Sequence, residues 1–206
     1  MALHDFTTQF IQQLQQTTAL EAVAVVFSMV SVVLANMNNV WLYPTGIVGT
    51  VIYVWIMAKV GLYAESLLNL YYLIMSIYGW VLWQKGKEND NPAAISHNNT
   101  KDWTITGAIC IAGWLILYYV LSRYTDSTVP ALDAVISATA WAGMWLLAKH
   151  KIENWILLNI SNAIAIPLYI YKGIPFTAVL TLFLFIVAIF GYFRWKKQYR
   201  LLHAAS

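Results

Sequence analysis

The sequence predicts an all-α membrane protein, with seven transmembrane helices forming two parallel three-helix repeats around a linker helix. Three observations predict it. Hydrophobic residues make up 60% of the 206-residue chain and charged residues only 10%, against about 25% charged in an ordinary soluble domain. The apolar residues gather in seven stretches near the roughly 20 residues that a bilayer-crossing helix needs. Matching residues also recur about one half-chain apart, as an internal repeat requires.

Taken in order, the first 17 residues are rich in Gln and Thr and carry Leu3, Phe6, Phe10 and Leu14 at helical spacing. They lack the basic start of a cleavable signal and read as a short amphipathic helix on the outer interface. The seven stretches run about Thr18 to Asn36, Val40 to Ala58, Glu65 to Gln84, Trp103 to Ser122, Pro130 to Ala148, Asn154 to Tyr171 and Ile174 to Trp195. Short polar breaks divide the first six. The last two are parted only by Lys172 and Gly173, with Pro175 marking the turn. The expected units are an outer interfacial segment (1–17), a first repeat (18–84), a cytoplasmic loop with the linker helix (85–129), a second repeat (130–195) and a basic cytoplasmic tail (196–206).

Orientation follows from the basic residues. With the N-terminus outside, the inner side collects Lys85, Lys87, Lys101, Lys149, Lys151, Arg194, Lys196, Lys197 and Arg200, leaving Lys59, Arg123 and Lys172 outside. The C-terminus is then cytoplasmic and the location a bacterial inner membrane.

The repeat shows in Glu21 and Asp133, which open the first and fifth spans, and in Gly79-x-x-x-Trp83, which recurs as Gly191-x-x-x-Trp195. Both pairs lie 112 positions apart. Trp41 and Trp155, which begin the second and sixth spans, are 114 apart, a drift that loops absorb. An intervening fourth span gives both units the same orientation, the arrangement of SWEET-type transporters, with substrate held near midplane between the repeats.

Two helix faces carry candidate ligand contacts. In span three, Asn69, Tyr72, Ser76, Gly79 and Trp83 step by 3 and 4 along one face, flanked by Tyr78 and Trp80. In span six, Trp155, Asn159, Asn162, Ile166 and Tyr169 do the same, aligned at 114 with Trp41, Thr45, Val48, Ile52 and Trp55. An amide facing lipid is costly, so Asn159 and Asn162 should face the bundle or a wet cavity. Rings for stacking and amides for orientation suit a flat polar ligand, cationic ones included. The plainer readings are interhelical hydrogen bonds for the amides, belt anchors for Trp41 and Trp195, close packing for Gly79 and Gly191, and dipole-complementing caps for Glu21 and Asp133, with proton coupling as their alternative.

Other classes lose ground. The lone Cys110 cannot pair within the chain, and His4, His97, His150 and His203 all fall outside the spans, so no metal centre, acid–base dyad or cofactor is expected. There is no phosphate-binding loop for ATP-driven pumping, and a net charge of +3 is too small for nucleic-acid binding.

The run Tyr72-x-x-x-x-x-Tyr78-Gly79-Trp80-x-x-Trp83, with Trp155-x-x-x-Asn159 and Leu168-Tyr169, resembles the bacterial Pnu family of vitamin transporters over essentially the whole chain. The resemblance implies facilitated uptake of an unphosphorylated vitamin precursor with an aromatic ring, trapped afterwards by a cytosolic kinase. Nicotinamide riboside leads, with thiamine or riboflavin as alternatives. It also implies that Tyr72, Tyr78, Trp80, Trp83, Trp155 and Asn159 line the site. Leu158 stands where the family's nicotinamide riboside pattern has a second Trp before the amide. Beside the bilayer, a homo-oligomeric assembly is compatible with the sequence. A SWEET-like sugar carrier would need more hydrogen-bonding groups, and a membrane protein without transport would not need the inward polar stripes.

Overall fold

A computed structural model describes residues 2–59, 61, 63–88 and 95–204. The side chains of Leu3, His4, Glu65, Lys87 and His203, and residues 89–94 of the long loop, lie outside the described residues.

Among the described residues eight α-helices form: α1 (Ala2–Gln16), α2 (Ala19–Asn36), α3 (Leu42–Lys59), α4 (Tyr63–Glu88), α5 (Thr100–Tyr124), α6 (Pro130–Ala148), α7 (Asn154–Tyr171) and α8 (Pro175–Ala204). The boundaries have local causes. The Thr18 hydroxyl accepts from the Glu21 amide to start α2, an Asn99/Asp102 capping box starts α5, and Pro130 sits in the first turn of α6. Gly173 supplies the left-handed residue (φ +69°) of the three-residue turn into α8.

The chain is an all-helical membrane protein. Helices α2, α3, α5, α6 and α8 are long and apolar enough to cross a bilayer. Large apolar side chains cover the outside, with Ile111, Phe190 and Phe193 more than 60% exposed, which is stable only in lipid. Helices α4 and α7 are diluted by Asn69, Asn154, Asn159 and Asn162 among others. Sequential neighbours pack as α2–α3–α4 and α6–α7–α8, the two trios meet through α4 with α6 and α2 with α8, and α5 lies against α6. Helix α1 docks on the start of α8: Gln13 donates to the Gly173 carbonyl (2.9 Å) and accepts from the Phe176 amide, and Phe10 packs on Phe176.

The two trios match residue for residue at a constant offset of 112. In the α2–α3 turn the Asn38, Asn39, Leu42 and Tyr43 amides bond the carbonyls of Ala35, Leu34, Asn39 and Val40. In the α6–α7 turn those of His150, Lys151, Asn154 and Trp155 bond Leu147, Leu146, Lys151 and Ile152. Among the described residues, Asn38 and His150 are the positive-φ non-glycine residues, at 56° and 59°. Tyr43 stands edge-on to Trp83 (5.2 Å, 88°) as Trp155 does to Trp195 (5.5 Å, 89°).

This register corrects two expectations. The partner of Trp155 is Tyr43, not Trp41, because the hydrogen-bonded turns admit no two-residue drift. The α3 face holding Trp41, Val48 and Trp55 is accordingly the lipid face, with exposures of 64%, 40% and 52%. Trp195 is not a belt anchor either: it is fully buried and its Nε1 donates to the Ala35 carbonyl (3.0 Å).

Candidate functional site

Where the two trios meet, a cavity of about 320 Å³ opens between them. It sits on the internal symmetry: Val32 and Met144, Ala35 and Leu147, Gly46 and Leu158, and Tyr72 and Leu184 are equivalent pairs that all line it. Its two walls differ in chemistry. The first trio contributes Ser28, Ser31, Thr50, Tyr53, Asn69, Tyr72 and Ser76, whereas the second contributes Met144, Leu147, Trp155, Leu158 and Leu184. The Ser28, Ser31 and Thr50 hydroxyls donate to the carbonyls of Ala24, Leu42 and Gly46, so their oxygens retain acceptor capacity toward the cavity. Among the described residues, no Lys, Arg, Asp or Glu lines it.

Small residues make the room. At Gly46 an added Cβ would lie 2.9 Å from Ser31 Oγ, and at Gly143 one would lie 2.9 Å from Leu158. Bulk and space have exchanged helices between the trios, since Ser31 is equivalent to Gly143 and Gly46 to Leu158.

The sequence-predicted residues are distributed over several places. Asn69, Tyr72, Ser76 and Trp155 line the cavity together. Further along the same α4 face, Gly79 receives the Tyr43 ring, and Trp83, 4% exposed, lies in an aromatic cluster beneath the cavity with Trp80 packed at its edge. Tyr78 is 39% exposed, with Lys149 Nζ 5.7 Å above its ring. Asn159 borders an apolar groove between α7 and α8, and its buried Oδ1 finds no hydrogen-bond partner among the described residues. Asn162, equivalent to Thr50, is half-buried. Sequence reasoning missed Ser28, Ser31, Thr50 and Tyr53, although Ser28, Ser31 and Ala35 on α2 and Gly46, Thr50 and Tyr53 on α3 step by 3 and 4 along one face.

The floor of the cavity is closed. Ala35, Leu42, Leu147 and Trp155 belong both to the cavity and to the aromatic cluster below. There His150 donates through Nε2 to Asn38 Oδ1 (2.5 Å), bridging the two turns, and stacks on Trp83 (3.7 Å, 8°). Burial pushes the His150 imidazole down to about 3, so it stays neutral through the physiological range, with Nε2 protonated and Nδ1 bare. Nearby, Asn36 donates to the Val187 carbonyl and accepts from Arg194. The segment before α5 straps this end: Ser96 bridges His150 and Ile152 through backbone bonds, and Lys151 pairs with Asp102 at 2.9 Å. Lys151 and the Asn99 amide both donate to the Asp102 carboxylate.

At the opposite end a polar vestibule of about 760 Å³ is bounded by Arg123, Asp126, Ser127, Asp133, Tyr169 and Lys172 among others. Lys172 Nζ bonds both Asp133 oxygens at 2.8 and 2.6 Å, and Ser127 donates to the same carboxylate. Asp133 is thus committed to a local pair. Asp133→Asn is expected to lower stability by about 1–3 kcal/mol by leaving a half-buried ammonium poorly paired, measured as thermal inactivation in detergent.

Comparisons with known proteins bear on the family and the fold. A family model described as "Nicotinamide mononucleotide transporter" matches residues 18–197. The chain is 21% identical to the nicotinamide riboside transporter PnuC of Escherichia coli (strain K12), over 88% of this chain and 86% of that protein, and equally to PnuC of Shigella flexneri. It is also similar in fold to a crystal structure of the vitamin B3 transporter PnuC, with a TM-score of 0.69 at 21% identity, covering 97% of this chain and 90% of that one.

Proposed function

The chain belongs to the nicotinamide mononucleotide transporter family, and from that premise we propose that it carries unphosphorylated nicotinamide riboside across the inner membrane by facilitated diffusion. The observation that carries the substrate's charge state is the cavity wall. Rings from Tyr53, Tyr72 and Trp155 and hydroxyls from both α2 and α3 surround a space that no Lys or Arg among the described residues lines. A cationic pyridinium gains from the ring faces, the ribose hydroxyls meet serine and threonine oxygens, and a phosphate dianion would find no counter-charge. A volume near 320 Å³ falls at the small end of ligand pockets, about 300–1,000 Å³.

In this reading α2–α4 and α6–α8 each cross the membrane three times, α5 crosses once as linker, and rocking of the trios about the cavity gives alternating access. The constant 112-residue register supports parallel repeats. The distribution of basic residues supports an orientation with the His150 end in the cytoplasm, where a kinase would trap the product; in that orientation this conformation is shut toward the cytoplasm. Asn159 and Asn162 are retained as substrate-orienting candidates that reach the ligand when α7 turns.

Proteoliposomes loaded with nicotinamide riboside should exchange labelled nicotinamide riboside, with the mononucleotide competing at least about 100-fold more weakly, the roughly 3 kcal/mol of an unpaired buried group. Equal competition by the mononucleotide overturns the proposal. Thiamine is the second reading, favoured by Leu158, which lines the cavity and leaves the space that a Trp would fill. Stronger competition by thiamine than by nicotinamide riboside would establish it.

A further inference from the structure

The cluster beneath the cavity holds more polar atoms than packing requires. Tyr43 Oη, Trp83 Nε1, Trp155 Nε1, His150 Nδ1 and Asn154 Oδ1 are buried with no hydrogen-bond partner among the described residues, and their side chains are at most 6% exposed. Orphaned polar atoms in a core are destabilising and call for an explanation. Here Tyr43, Trp83 and Trp155 belong to one cluster that shares four residues with the cavity floor, His150 stacks on its Trp83, and Asn154 precedes its Trp155 in the chain.

The centre of the cluster is also unusual. The position equivalent to His150 in the first trio is Asn38, a residue at ease in the left-handed backbone both turns require. The second trio places a flat imidazole there instead, stacked on Trp83 at 3.7 Å and leaning on Trp195 at 5.0 Å and 53°. One neutral planar heterocycle between two indoles, with unpaired donors and an unpaired acceptor around it, is the environment a substrate ring would need on leaving the cavity.

We infer that Trp83 and Trp195, with Tyr43 and Trp155 above them, form a second stacking site for the substrate's ring, and that the His150 imidazole occupies it until the ring arrives. The inference deepens the transport reading and rests on it. The His150 backbone is pinned through Ser96 and Ile152, so clearing the site takes rotation of one side chain and loss of its single bond to Asn38. Exchange of one flat ring for another keeps a stacked pair on Trp83 throughout, which lowers the barrier at the narrowest point of the path. The orphaned indole and phenol hydrogens then have the carboxamide and ribose oxygens of the passing substrate to bind.

The test uses Val32→Cys, which lines the cavity, in a Cys110→Ser background, and a membrane-impermeant thiol reagent applied from the His150 side. Replacing His150 by Asn, the residue its symmetry mate already uses, should raise labelling roughly three- to tenfold, the population shift that follows loss of one aromatic pair. Trp83→Leu should slow nicotinamide riboside exchange about tenfold or more. His150→Gly serves if the Asn variant does not fold. Labelling unchanged in the folded His150 variant, or exchange unchanged in Trp83→Leu, overturns the inference. A parent protein that exchanges no nicotinamide riboside instead overturns the transport reading, and the labelling result still decides whether His150 closes the path.

Discussion

Trp155→Ala is expected to abolish measurable nicotinamide riboside exchange, and Trp155→Phe to keep the fold while weakening binding. The indole is 1% exposed and forms part of the cavity wall. It also stands edge-on to Trp195 and presses against Gly191, where a Cβ would come within 2.7 Å of the ring. Truncation to Ala therefore removes a ligand surface and leaves a core void together, at a cost of about 3–5 kcal/mol in stability. The Phe variant separates the two effects, because a six-membered ring still fills most of the contact with Gly191. Stacking of a heterocycle on one aromatic ring contributes about 1–3 kcal/mol, so a smaller and less electron-rich ring should cost roughly tenfold in affinity. Calorimetric titration beside thermal inactivation checks this. A Phe variant with unchanged affinity and lowered stability would make Trp155 a packing residue alone.

Much of this site is legible in the amino-acid sequence. The α4 stripe Asn69, Tyr72, Ser76, Gly79, Trp83 steps so regularly that its inward face follows from helical geometry, and its first three residues do line the cavity. The polar wall on α2 and α3 is equally periodic, yet aligning Trp41 with Trp155 is off by two residues and points to the lipid face of α3 instead. Trp83 and Trp195 mislead for a different reason. Aromatic residues near helix ends suit a membrane interface, and only the glycines that let Tyr43 and Trp155 approach α4 and α8 reveal that these ends are packed. His150 lies in a loop by hydropathy, and nothing local signals that the Ser96 strap and the Asn38 turn bury it. Long-range pairing of that kind is set by how the trios meet.

Adding one methyl group at Gly79 is expected to be more damaging to stability than the same addition at Gly191, although the positions are equivalent. At Gly79 the new Cβ would fall 2.5 Å from Tyr43 Cε1 and 2.6 Å from its Oη. Tyr43 is 1% exposed and held edge-on by Trp83, which is itself stacked on His150, so its ring has nowhere to retreat. Overpacking of a closed core costs about 1–3 kcal/mol, and Gly79→Ala should reach the upper end. At Gly191 the obstructed ring is Trp155, which has the cavity on one side and can yield into it. Gly191→Ala should therefore retain most of the stability and lose transport, because the displaced indole takes up the space the substrate needs. Inactivation temperature in detergent and exchange rate in liposomes should rank the two variants in opposite orders. Tyr43→Leu, by shortening the obstructing side chain, should restore part of what Gly79→Ala loses relative to the sum of the single changes. If both glycine variants lose stability equally and transport equally, the asymmetry between a ring beside a void and a ring without one is not what separates the halves of this protein.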